Sequence, residues 1–121
     1  MDLVYKTIKE ELSLARDPNT PKDVLRELSK NSNWLVRRHV GSNPSISLDI
    51  LRKLAKDVNF VVRRYVAKNP KASGKILVML FEYEKSLREP DDDVIRALYA
   101  HKNLPHIAKV IIETLFGDWV L

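Results

Sequence analysis

Cysteine is absent from the 121-residue sequence, and disulfides, thiolate nucleophiles, zinc–thiolate sites and cysteine-ligated iron–sulfur clusters are excluded with it. Glutamine is absent too, while charged residues of both signs reach 31%, a usage that leans toward a thermophilic source. No apolar run approaches the roughly 18 residues of a membrane span. The first residues alternate Asp2, Lys6, Lys9, Glu10 and Glu11 with apolar side chains, unlike a basic start followed by an unbroken apolar stretch. A cytoplasmic protein with no membrane partner is therefore expected. Glycine occurs three times and never in a phosphate-cradling loop; Gly74 after Ser73 reads as a turn signal.

What is present is an ordinary globular composition. With 45% apolar residues in 14.0 kDa, the chain is long enough for one packed domain and too short for two. Lys plus Arg is 21 against 16 for Asp plus Glu, a net +5. That charge admits an acidic partner but is modest beside a dedicated nucleic-acid binder.

Self-similarity at an offset of 26 residues organises the chain. Asp17-Pro18-Asn19 recurs as Asn43-Pro44-Ser45 and Asn69-Pro70-Lys71. Val24-Leu25 with Leu28 recurs as Ile50-Leu51 with Leu54 and as Ile76-Leu77 with Leu80. Trp34-Leu35-Val36-Arg37-Arg38 with Val40 matches Phe60-Val61-Val62-Arg63-Arg64 with Val66. A degraded fourth copy, Val94-Ile95-Arg96-Ala97-Leu98-Tyr99-Ala100, aligns 33 residues after Val61 to Ala67, which implies seven inserted residues in the acidic stretch before it.

Each unit predicts two short helices. Thr20-Pro21-Lys22-Asp23 has the form of an N-cap, a first-turn proline and an early acid, with Ser47 and Ser73 in the same role further on. The second helix of each unit starts near Asn33 or Asn59, buries Val36 and Val40 or Val62 and Val66 at i, i+4, and stops at the Asn-Pro pair, because a residue before proline avoids helical geometry. Helices this short are unstable alone, so each unit must stack on the next. Residues 1–16 are expected to cap one end, with Leu3, Val4, Ile8, Leu12 and Ala15 as its inner face. Residues 106–121 are expected to cap the other, with Ile107, Val110, Ile111, Leu115 and Phe116 as a helical stripe that packs on its own chain. The competing reading of that stripe and of the tail Trp119-Val120-Leu121 is a homodimer or partner contact.

The segments Asn43-Pro44 through Leu51, Leu54-Ala55-Lys56-Asp57 and Val62-Arg63-Arg64 resemble the variant leucine-rich repeat family over residues 15–80, and more weakly over 94–105. The resemblance implies stacked pairs of short helices, one of them 3₁₀-like, in a curved superhelix akin to HEAT and armadillo repeats. It also implies an iron–sulfur cluster in some members, which does not carry over to a chain without cysteine.

Several residues are candidates for chemistry. Arg37, Arg63 and Arg96 lie beside the buried face and resemble ladder arginines that bond neighbouring acids or carbonyls between repeats. Arg38 and Arg64 point outward, and the fourth copy places Ala97 there. Residues 63–75 carry a local +5 and residues 82–93 about −4, two zones that would orient a partner. Arg38, Arg64, Lys68 and Lys71, with Tyr65 and His39 nearby, form the candidate contact surface; such a surface also suits a phosphate backbone bound without base readout. Glycosylase chemistry rests on fold analogy alone. His101 and His106 flank Pro105, which breaks the helix that a metal pair needs, and Asp91-Asp92-Asp93 reads as a helix N-terminus. No serine has a positioned base.

The expectation is thus an all-α, right-handed helical-repeat solenoid of about three and a half repeats, with regular repeats over 17–80, an acidic insertion at 81–93 and a degraded repeat at 94–105. Its function is expected to be non-enzymatic protein binding without a cofactor or metal, with nucleic-acid binding as the alternative.

Overall fold

The computed structural model describes residues 7–121; Leu3 and Val4, assigned to the N-terminal cap, lie outside the described residues. The described residues form eight helices and no strand: α1 (Ile8–Arg16), α2 (Lys22–Leu28), α3 (Trp34–Gly41), α4 (Leu48–Leu54), α5 (Phe60–Lys68), α6 (Gly74–Ser86), α7 (Asp92–Ala100) and α8 (His106–Val120). No described helix is long and apolar enough to cross a membrane.

The helix starts follow the expected chemistry in part. Asn33 and Asn59 are N-caps whose side chains accept from the N–H groups of Leu35 (2.9 Å) and Val61 (2.8 Å). Ser73 accepts from Ile76 N–H, and Asp91 from Val94 N–H. Thr20 does not cap α2. Its hydroxyl donates backward to the Leu14 carbonyl at 2.6 Å, and Pro21 takes the cap position without a side-chain bond. The Ser47 hydroxyl likewise turns to the Asp49 carboxylate.

Packing follows the repeat. Leu25, Leu51 and Leu77 are buried at equivalent positions, as are Leu28, Leu54 and Leu80, and the row continues into Val36/Val62, Val40/Val66 and Ile46/Ala72. Each such Leu or Ile contributes roughly 1.5–3 kcal/mol. Helices α1, α3, α5 and α7 pack directly on one another in succession, whereas α4 meets α6 lightly and α2 meets α4 less still.

The fourth copy sits one residue away from the expected register. The N-caps Asn59 and Asp91 and the C-caps Asn69 and His101 are each 32 apart, so six residues are inserted, not seven. They lengthen α6 to 13 residues against 7 in α4. In this register Ile95, not Arg96, follows Arg37 and Arg63, and Arg96 follows Arg38 and Arg64.

The C-terminal stripe is inverted. Helix α8 buries Ala108 and Ile112 and leans Phe116, Trp119 and Val120 on the core, while Ile107, Val110, Ile111 and Leu115 face out, Ile107 being 74% exposed. Ala108 and Ile112 stand 32 residues after Ile76 and Leu80, so α8 occupies the place of a further first helix. Its outer side carries the apolar residues expected inside.

Candidate partner-binding face

Two adjacent arginines in each regular repeat do different work. Arg37 forks onto Asp57, Nε at 2.8 Å and Nη2 at 3.2 Å, and Nη1 donates to the Asn31 carbonyl at 2.8 Å. Arg63 forks onto Glu84 at 2.7 and 3.3 Å, with Nη1 on the Asp57 carbonyl at 2.8 Å. The acceptors are shared with local structure: the N–H groups of Asn33, Asn59 and Asp91 donate to Asn31 Oδ1, Asp57 Oδ1 and Glu84 Oε1. Each joint therefore ties one helix of the stacked row to the turn that starts the next. At the chain's first joint the roles reverse, with Asn31 Nδ2 donating to Glu11 at 2.5 Å. Arg37 and Arg63 thus act as the expected ladder. Arg96 does not; it bonds Asp92, Asp93 and the Trp119 carbonyl at the surface.

A second ladder, missed from sequence, runs through the Asn-Pro turns. Asn43 Nδ2 donates to the carbonyls of Ala15 and Asp17, and Asn69 Nδ2 to those of Gly41 and Asn43. Their Oδ1 atoms accept from the N–H groups of Ser45 and Lys71. In the fourth unit His101 takes over: Nε2 lies 2.8 Å from the Asn69 carbonyl and Nδ1 3.0 Å from Asn103 N–H. Those partners assign the Nε2–H tautomer, an imidazole doing the work of a carboxamide. The exact 26-residue recurrence of asparagine, rather than proline alone, was the available signal. All buried side-chain N and O atoms among the described residues have partners.

The outer side of the α1–α3–α5–α7 row carries the candidate binding residues. Ile8, Trp34 and Phe60, one repeat apart, are 45%, 42% and 46% exposed. One turn further along α3, Arg38 lies over the Tyr65 ring at 3.9 Å and against the His39 ring nitrogens at 3.0 and 3.2 Å. Lys68 approaches the same ring at 5.4 Å. Burial lowers the His39 pKa first, and the charges of Arg38 and Arg16 lower it further. Arg38, through a hydrogen bond and its charge, holds the Tyr65 phenol below its ordinary value, with Lys68 and Arg64 adding to it.

Arg64 and Lys71 are spoken for within the chain. Arg64 forks onto Asp91 at 2.9 and 3.0 Å, reaches Asp93 at 3.1 Å and stacks on Phe60 at 4.6 Å. Lys71 Nζ donates to the Ile46 carbonyl at 2.9 Å, away from the helical row. Of the four candidates, Arg38 and Lys68 converge on one aromatic ring, Arg64 belongs to the acidic turn, and Lys71 belongs to the joint. A groove of about 480 Å³ between α5 and α7 is lined by Val61, Arg64, Tyr65, Lys68, Arg96 and others. Carboxylate oxygens of Asp91, Asp92 and Asp93 lie within 4.8 Å of one another, but Arg64, Arg96 and the Val94 N–H already engage them.

A scan of protein-family models, a search of curated proteins and a search of solved structures each found no match.

Proposed function

We propose that this protein is a non-enzymatic interaction module, a right-handed helical-repeat solenoid of variant leucine-rich repeat type with about three and a half repeats, that binds another protein. One observation carries the reading: large apolar side chains stay exposed at one-repeat spacing, Ile8, Trp34 and Phe60, on the row where successive helices pack most directly. Repeat proteins use such extended surfaces for macromolecular partners. The stacked joints at Arg37 and Arg63 support the solenoid, since each ties a repeat to its neighbour alone.

The second reading is sequence-independent nucleic-acid binding, favoured by Arg16, Arg38 and Lys68, none of which has a carboxylate within 4.0 Å among the described residues. Affinity capture with the wild-type protein and an Arg38→Glu/Lys68→Glu variant, beside anisotropy of labelled duplex and single-stranded DNA and RNA, separates the two. A discrete protein captured by the wild type supports the module. Oligonucleotide binding that weakens with salt at a log–log slope of about −0.9 per phosphate replaces it with the alternative.

A further inference from the structure

The same repeat position is filled in two ways, and the difference describes a ligand. On α5, Arg64 stacks on Phe60 and receives the Asp91 carboxylate fork to fork, Nε to Oδ1 at 2.9 Å and Nη2 to Oδ2 at 3.0 Å. The acid arrives from the turn before α7, one repeat further on. On α3, Arg38 lies instead over Tyr65 of the next helix, α5, and among the described residues no carboxylate reaches it. A guanidinium over an aromatic ring is restrained in position, and although Nη1 of Arg38 faces the His39 ring, the other donors of the fork can meet an incoming acid. Lys68, on the same ring, adds a second cation.

Resting on the interaction-module reading, we propose that the α3–α5 part of the row binds an acidic peptide segment of a partner protein. A carboxylate of that segment takes at Arg38 the place that Asp91 takes at Arg64, with Lys68 as its second cation and apolar side chains of the segment against Trp34 and Phe60. The chain's own acidic turn is then an internal copy of the ligand, seated one repeat along.

Three observations favour a peptide over a nucleic acid. Trp34 and Phe60 lie one helical turn before Arg38 and Arg64 and are exposed by more than two-fifths, which rewards apolar side chains interspersed with acids. On α3 and α5 the cations without an ion pair among the described residues are two and close together, Arg38 and Lys68, with Arg16 of α1 near enough to bear on His39. At the α7 end, Asp91, Asp92 and Asp93 close the row with negative charge, and a phosphate backbone continuing that way would be repelled. Adjacent helices of such a stack lie about 8–10 Å apart, which a polyproline II segment, with three residues per turn and about 3.1 Å per residue, covers in three residues while keeping i and i+3 on one face. Acids three apart in the partner would therefore meet successive repeats.

The test uses the full-length ¹⁵N-labelled protein and defined probes: a 12-residue peptide (Glu-Leu-Gly)₄, its lysine counterpart (Lys-Leu-Gly)₄, and a 12-nucleotide oligo-dT. Titration at about 50 mM salt, followed by amide and Trp indole NMR shifts, detects binding even in the millimolar range. The glutamate peptide should shift α3 and α5 resonances and the Trp34 indole while leaving that of Trp119 in place, and the lysine peptide should do neither. Arg38→Glu/Lys68→Glu should weaken the glutamate peptide about tenfold or more, Arg38→Lys should retain part of the affinity, and Asp93→Asn, which loosens the internal copy, should tighten it. Circular dichroism melts of each variant keep unfolding apart from loss of the site. The proposal falls if the glutamate peptide produces no shifts, if they map elsewhere, if the double variant binds equally well, or if oligo-dT binds more tightly than the peptide. A partner captured equally by wild type and double variant would sink this site while leaving the module reading intact.

Discussion

Helices α1 to α5 and helices α6 to α8 share part of their joints, made from different residues. In the first part Arg37 meets Asp57 with 14% and 8% of the side chains exposed; in the second Arg63 meets Glu84 with 5% and 0% exposed. The six inserted residues cause the difference. They prolong α6, so the acceptor sits inside a helix at Glu84 instead of in the turn at Asp57, and a longer acid spans the gap to Arg63 and to Asp91 N–H. Beyond it the ladder position becomes Ile95, and the asparagine position becomes His101. The asparagine joint tolerates the change because His101 still meets the Asn69 carbonyl, whereas the arginine joint ends at Ile95, which has no side-chain donor.

The sharpest way to break this comparison is to remove the acids. Glu84→Ala leaves Arg63 charged and enclosed, and unfolding in denaturant should show a loss of about 3–5 kcal/mol. Asp57→Ala, at the more open joint, should cost about 1.5–3 kcal/mol. Pairing Glu84→Ala with Arg63→Met should restore most of the stability, because an apolar replacement carries no buried charge. Equal losses for the two single variants would mean that burial does not separate the joints.

The outer side of α8 gives the next largest effect. Ile107, Val110, Ile111 and Leu115 face solvent on one helix, and the competing reading of this C-terminal segment, a homodimer or partner contact, can be tested on them. If the homodimer forms, sedimentation equilibrium should detect self-association that Ile111→Asp weakens by about 2–3 kcal/mol, without lowering the melting temperature of the dilute protein. A wild-type chain that stays monomeric at high concentration would remove the dimer.

A smaller effect tests the exchange of imidazole for carboxamide. His101→Asn should fall within about 0.5 kcal/mol of wild type, since a carboxamide supplies the same donor and acceptor. His101→Ala should cost about 0.5–1.5 kcal/mol by leaving the Asn69 carbonyl and the Asn103 N–H without their partner.

The regular part of the fold was legible because a strict 26-residue period fixes every equivalence at once: the N-caps Asn33 and Asn59, the buried valines and the arginine ladder all follow from it. The fourth unit was not, because laying Val94-Ile95-Arg96 on Val61-Val62-Arg63 matches two apolar residues and an arginine, whereas the register that forms sets Ile95 against Arg63. The choice depends on whether Asp91 or Asp92 is the cap, which hydrogen bonding decides and composition does not. The same limit applies to α8. Its sequence is apolar on nearly every side, so periodicity marks a helix without saying which stripe meets α7. Of the binding residues, the outward direction of Arg38 and Arg64 was readable from the 100° step per residue. Their different fates were not, since the partner of Arg64 arrives from a turn 27 residues away.

The subtlest consequence of that difference is electrostatic and local. Arg64 has Asp91 beside it, and burial, which by itself raises the Asp91 pKa, is outweighed by hydrogen bonds from Arg64 and the Val94 N–H, so that carboxyl titrates below its usual range. Arg38 has no such neighbour, and its charge adds to burial in holding His39 below the ordinary imidazole value. A histidine whose pKa is lower folded than unfolded leaves the native state short of a proton that the unfolded chain accepts. Its cost is therefore absent well above about pH 6.5 and grows as the pH falls from there toward the folded pKa. Arg38→Ala should raise the His39 pKa, read from its ring resonances in an NMR titration, and should shrink that acid-side loss. An unchanged His39 titration in Arg38→Ala would mean that the Arg38 charge is already neutralised in solution, and the contrast between the two arginines would disappear with it.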